Sequence, residues 1–261
     1  MERVEAIDVL SSRTLAGLPH GFLGRRGGVS DGVYASLNVG LGSGDDRASV
    51  TENRRRAGDA VMVGAQLVTL HQIHSAKVVT ATAQWHDDAR PFADGVVTDQ
   101  PELLLGILTA DCVPVLFADP ERRVIGAAHA GWKGALGGVT DNIITAMIAL
   151  GARRDSIVAA IGPCIGRASY EVSDDFAKIF ETTDSANERF FTGGKAGHHY
   201  FDIEAYVIHR LSVAGIRRID PLGQDTYTDK ARFFSYRRSC HAGESDYGRQ
   251  ISLIGLHDQP D

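Results

Sequence analysis

The chain has 261 residues, with 27 Lys and Arg against 33 Asp and Glu, for a net charge of −6 at neutral pH. Hydrophobic residues make up 43% and charged residues 23%, which suits a soluble globular protein with a substantial core and excludes a disordered or collagen-like chain. Net acidity argues against general binding to duplex nucleic acid, where a basic face must replace counterions, but it leaves room for a local basic pocket that holds a phosphate.

From the N-terminus, GFLGRRGGVSDGVYASLNVGLG at 21–42 reads as short strands and turns. Asp45 and Asp46 stand where an N-cap would, ahead of a helix that ends near Gly58. Residues 66–71 and 77–81 read as strands, with His-Gln-Ile-His in the bend between them. The runs 103–108, 113–118 and 124–129 are apolar, of strand length and rich in Val, Ile and Leu, which predicts strands covered on both faces. Ile143, Ile144, Met147, Ile148 and Leu150 form a helical stripe closed by Gly151. Residues 156–161 predict a further strand leading into Gly-Pro-Cys-Ile-Gly, and 173–180 and 202–214 predict amphipathic helices with a Ser or acidic cap. The polar stretch 182–199 reads as a long surface loop, and short strands are expected at 233–236 and 250–254. With neither repeat nor linker, residues 1–261 are expected to form one domain. Three strands followed by a helix favour mixed sheets over strict βαβ alternation.

No apolar stretch reaches the roughly 20 residues that a membrane span needs. Residues 1–13 carry Glu2, Glu5 and Asp8 without an apolar core, unlike a secretory signal. Three cysteines, an odd and sparse set, fit a reducing compartment. A cytoplasmic protein with no membrane or nucleic-acid partner is the expectation.

Three segments carry candidate chemistry: His71-Gln72-Ile73-His74, Ala110-Asp111-Cys112 and His129-Ala130-Gly131-Trp132. Each places a His or Cys at the end of an apolar strand. Neutral imidazole and thiolate are good zinc ligands, and three of them leave a fourth position for water. The intervals of 38 and 17 residues match no compact zinc finger, so structural histidines and a packed cysteine are an alternative on spacing alone. Asp111 can orient a ligand, accept a proton or cap a buried turn. Asn38 can bond a sugar or make an Asx turn. Trp132 can stack on a purine or fill the core. Arg237 and Arg238 are candidates for an anion or for local pairing, and Cys164 reads as packing.

GFLGRRGGVSDGVYASLNVG, Glu52-Asn53-Arg54, HQIHS, ADGVVTD, TADCVPVLFAD, AAHAGWKG and FFSYRR together resemble the multicopper polyphenol oxidoreductase, or laccase-like, family. That family is also described as purine nucleoside phosphorylases that deaminate adenosine, with bacterial relatives described as peptidoglycan-editing factors. The resemblance runs from about His20 to Leu256. It implies one α+β domain in layers, with mixed sheets inside and helices outside (α/β/β/α-like). It implies metal ligands at His74, Cys112 and His129; the candidate catalytic residues are then Cys112 and His129, with Asp111 added because it adjoins Cys112. Arg54 corresponds to a basic residue near the substrate, where a guanidinium fork suits phosphate. Lys133 stands where the family often has Arg, which keeps the charge and loses the fork. The family's Cys-Thr pair before FFSYRR is absent, because 225–228 read Asp-Thr-Tyr-Thr.

The function this implies is zinc-dependent phosphorolysis of adenosine, inosine and guanosine, with methylthioadenosine a further candidate and adenosine deamination at the same site. The partners are then a purine nucleoside and phosphate, and the chain a monomer or homodimer. Three alternatives stand beside it. One is copper-dependent phenol oxidation, since Cys with two His imitates a blue-copper shell, although paired His-x-His motifs are missing. Another is Cys112–His129 hydrolysis in the editing of peptidoglycan precursors. The last is a binding module stabilised by a structural metal.

Overall fold

The structure, a computed structural model, describes residues 6–257. In chain order its elements are β1 (Val9–Leu10), β2 (His20–Leu23), α1 (Arg47–Val61), β3 (Gln66–Thr69), β4 (Val78–Thr80), β5 (Gly95–Thr98), β6 (Leu103–Thr109), β7 (Val113–Asp119), β8 (Val124–Ala130), α2 (Trp132–Gly137), α3 (Val139–Ala149), β9 (Val158–Ile161), β10 (Glu171–Ser173), α4 (Asp174–Thr183), β11 (Phe191–Gly193), β12 (His198–Phe201), α5 (Ile203–Val213), β13 (Arg218–Pro221), α6 (Tyr236–Ala242) and β14 (Gln250–Gly255).

Two mixed sheets stack at the centre, one in the order β13-β9-β7-β8-β5-β4 and one in the order β1-β2-β14-β6-β3. The side-chain period of two explains why their strands read as unbroken apolar runs. On β7, Val113, Val115 and Phe117 face α3 and α5, packing with Ile143, Ile144, Met147, Val207 and Leu211. Leu116 and Ala118 point the other way, into the space between the sheets, where they meet Leu105 and Ile107 of β6. The opposite face of β6 places Leu104 and Leu108 beside Ala57 of α1. The result is the α+β arrangement of helix, sheet, sheet and helix. A small antiparallel sheet, β10-β12-β11, lies to one side.

The sequence signals place most elements within a few residues. Asp46 caps α1 by accepting from Ser49 N at 2.8 Å, but the helix runs past Gly58 to Val61. Gly58 is buried against Leu104, and packing carries the helix across a residue that is unfavourable only in isolation. Residues 182–199 are not an open loop. They contain a 3₁₀ turn, Ser185–Phe190, and most of β11 and β12. Phe190 and Phe191 anchor them in an aromatic group with Phe176, Phe180, Phe201 and Tyr206. Residues 233–236 are not a strand either. Ser235 Oγ accepts from Arg238 N at 3.2 Å and starts α6, so the apolar Phe233-Phe234 pair is the buried lead-in to a helix. Among the described residues, no helix is long and apolar enough to cross a membrane.

Candidate functional site

The register of β7 against β8 pairs Pro114 with His129. Cys112, in the tight turn just ahead of β7, therefore lies beside His129. The turn requires Asp111 at φ 86°. His74 comes from the loop between β3 and β4 and also has positive φ, at 59°. His74 Nε2 is 3.9 Å from Cys112 Sγ, and the ligand atoms of His74, Cys112 and His129 all lie within 4.8 Å of one another. Zinc bonds of about 2.0–2.3 Å in a tetrahedron imply donor separations of roughly 3.3–3.7 Å, so small side-chain adjustments let this group hold a metal. Gly131 permits the approach. A Cβ there would come within 2.9 Å of His74 Cδ2 and 3.0 Å of Cys112 Sγ.

The group is organised by Asp94, which is fully buried just before β5. Its Oδ1 accepts from His129 Nδ1 at 2.8 Å and from His74 N at 2.9 Å. Its Oδ2 accepts from Ile73 N, Ser75 N and Ser75 Oγ at 3.2, 2.6 and 2.8 Å. One carboxylate therefore shapes the His74 loop and fixes the His129 tautomer, leaving Nε2 for a metal. Burial alone would raise the Asp94 pKa, but the bonds from His129 and Ser75 bring it down to about 2.

Cys112 and His129 polarise each other. Desolvation opposes charge on both, yet the nearby imidazolium brings the thiol down to about 6, and the thiolate and Asp94 lift His129 to about 9. A metal needs the thiolate and a neutral imidazole. Between about pH 6 and pH 9 the thiol is already ionised, and His129 must release its proton for the metal to bind. Metal affinity should therefore rise with pH across that window, by about tenfold per pH unit for one proton released, and level off above it. Competition with a chelator at several pH values measures this; a pH-independent affinity would contradict it.

Two cavities share the wall formed by His74 and Cys112. The first, of about 350 Å³, is the more polar of the two and carries Gln72, Arg90, Thr109, Tyr247 and Arg249 among its lining residues, with no carboxylate. The second, of about 470 Å³, is aromatic, with Trp132, Tyr170, Phe176 and Tyr236 in its wall beside Ile165 and Arg237.

The other sequence candidates are distributed around this centre. Asp111 lines the aromatic cavity, and its carboxylate accepts from Thr226 Oγ1 and Arg237 N, each at 2.7 Å. It ties the start of α6 to the Cys112 turn, and burial raises its pKa. Asn38 is fully buried and saturated. It donates to Ser43 Oγ and Asp45, and accepts from Gly40 N and Arg249 N. Arg54 lines neither cavity at the triad. Its guanidinium is buried and bonds Val39 O, Thr69 Oγ1 and Asp87 Oδ1. Lys133 is exposed and lies over the Trp132 ring at 5.4 Å. His71 packs on Phe92, with ring centroids 4.4 Å apart. Sequence reading passed over Asp94, Thr109, Arg90 and Arg249. Asp94 sits inside the quoted ADGVVTD motif, but an Asp before Gly reads locally as a turn residue.

Residues 19–257 match the family described as multi-copper polyphenol oxidoreductase laccase. A purine nucleoside phosphorylase of Deinococcus radiodurans is 40% identical over 242 residues, covering 92% of this chain and 89% of the relative. The Escherichia coli purine nucleoside phosphorylase YfiH is 34% identical over 233 residues, covering 89% and 91%. The crystal structure of a Neisseria meningitidis protein superposes with a TM-score of 0.86 at 33% identity, covering 97% of this chain and 99% of that one. YlmD of Geobacillus stearothermophilus gives 0.87 at 29% identity, covering 99% and 98%. With nearly its whole length matched, the chain belongs to the multi-copper polyphenol oxidoreductase laccase family.

Proposed function

We propose that the chain is a zinc-dependent purine nucleoside phosphorylase that also deaminates adenosine. The observation that carries the reading is the position of the Cys/His₂ group between two cavities, with His74 and Cys112 in the wall that both share and His129 lining the polar one, in a chain whose relatives are named purine nucleoside phosphorylases. Zinc held by His74, Cys112 and His129 would supply Lewis acidity and draw the pKa of water toward neutrality, the chemistry needed to replace the adenine amino group. The aromatic walls from Trp132 and Tyr170 bind and orient the purine. In phosphorolysis, a phosphate oxygen forms the bond to C1′ and the C1′–N9 bond breaks. Its electron pair goes to the purine, which takes up a proton, and ribose 1-phosphate leaves. Asp94 holds the His129 imidazole in register throughout. Adenosine, inosine and guanosine are the expected substrates, and methylthioadenosine is a fourth to test. The unpaired Cys112, Cys164 and Cys240 support a cytoplasmic location. We assign the chain as one domain acting on small molecules as a monomer or homodimer.

Copper is the other metal the family name suggests. Among the described residues, His74, Cys112 and His129 are the one group of three such side chains placed to hold an ion, and a multicopper oxidase needs further histidines for oxygen reduction.

One feature favours a second reading. Asp94, His129 and Cys112 stand in the order of a carboxylate-oriented base and a thiolate, which fits a cysteine hydrolase acting on peptidoglycan precursors. Product analysis separates the two. Purified protein with adenosine should release adenine and ribose 1-phosphate only when inorganic phosphate is present, and inosine in either case. Base release at equal rate without phosphate would reject the phosphorylase. Activity that survives metal removal but is lost on Cys112 alkylation would favour the hydrolase.

A further inference from the structure

We propose that the polar cavity is the phosphate subsite, with Arg249 and Thr109 as its principal donors and Arg90 as a second guanidinium. The proposal rests on the phosphorylase reading and assigns the co-substrate to one of the two cavities. Among the described residues, few buried side-chain polar atoms lack a hydrogen-bond partner, and two of them, Thr109 Oγ1 and Arg249 Nη1, belong to residues lining this cavity. Thr109 is only 3% exposed. A buried hydroxyl and a buried guanidinium nitrogen left without acceptors carry a desolvation cost that an anionic ligand would offset. Both are donors, and the cavity wall contains no carboxylate to oppose an anion.

The Arg249 side chain is also held in place. Its backbone N donates to Asn38 Oδ1 at 3.0 Å, and its carbonyl accepts from Val39 N at 3.1 Å. Its guanidinium lies 4.4 Å from the Tyr247 ring centroid. Gly40 makes room for it, because a Cβ there would come within 3.1 Å of Nη1. Asn38 is therefore a positioning residue that acts through Arg249. The same cavity wall includes Cys112 and His129, so an oxyanion bound here lies beside the metal group, and the aromatic cavity adjoins it at His74 and Cys112. Adjoining cavities would bring the anion and a purine nucleoside together at one centre. Arg54 donates to Thr69, Asp87 and Val39 O and lines neither of these cavities, so it falls outside this subsite.

The shared chemistry is a tetrahedral oxyanion, which inorganic phosphate or a nucleotide 5′-phosphate could supply. The test is equilibrium binding of inorganic phosphate alone, and of adenosine 5′-monophosphate alone, to the metal-loaded wild type, Arg249→Gln and Thr109→Val. Phosphate should bind the wild type, about tenfold or more weakly the Arg249 variant, and about threefold or more weakly the nearly isosteric Thr109 variant. Metal content and circular dichroism should match the wild type. Unchanged phosphate affinity in both variants would overturn the assignment. So would a wild type that binds the nucleotide through these residues but not free phosphate. Phosphate binding that weakens as expected in a protein without phosphorolysis would leave the subsite standing and reject the phosphorylase reading instead.

Discussion

His129→Ala is expected to abolish base release and the conversion of adenosine to inosine together, each by on the order of a thousandfold. The figure follows from losing several kcal/mol of transition-state stabilisation when a metal site is dismantled. His129 is a ligand candidate and the link from Asp94 to that group, so its removal affects both reactions if one site serves both. The chain should stay folded by circular dichroism, since β8 is held by β5 and β7 through its backbone. Assaying both products on the same preparation checks this. Loss of one activity with the other at wild-type rate would require two separate sites.

Asp94→Asn should weaken metal binding by about 10–100-fold, the usual cost of losing the residue behind a ligating histidine. It should also lower stability by at least about 2 kcal/mol, because an amide cannot replace this carboxylate. Oδ1 accepts from His129 and His74, and Oδ2 from Ile73 and Ser75. Whichever way the amide turns, its NH₂ meets donors, and buried N–H groups lose their acceptor. For a chain of this size that is a fall of about 4–8 °C in melting temperature. The acid limb gives an independent sign. The Asp94 pKa is lowered to about 2 in the folded protein, against roughly 3.9 unfolded. Its contribution is present above about pH 4 and lost as pH falls toward 2. The stability gap between wild type and variant should narrow over that interval. A gap that stays constant would mean that the carboxylate charge does not stabilise the fold.

The central strands and α1 were legible because their determinants are local. Period-two burial on both faces makes β6, β7 and β8 read as apolar runs, and Asp46 announces α1 as a cap. The family motifs carried the metal group, since His74, Cys112 and His129 come together only through the β7–β8 register and the Asp94-bound loop. Local pattern failed where the partner is distant in sequence. Phe190 and Phe191 look like part of a polar loop until Tyr206 is placed beside the first and Phe176 and Phe201 beside the second. Asp94 looks like a turn residue until His129, 35 positions later, meets it. Asn38 and Arg249 are 211 residues apart, and no periodicity links them.

Metal content measured by elemental analysis on wild type and Cys112→Ala tests the central claim most directly. Cys112 is the proposed sulfur ligand, sits in a turn rather than in a strand, and stands outside the buried hydrophobic core. The account predicts about one zinc per chain in the wild type, the stoichiometry of a catalytic site with three protein ligands. It predicts a variant with little bound metal and an unchanged circular dichroism spectrum. A folded Cys112→Ala protein that retained stoichiometric zinc would contradict it.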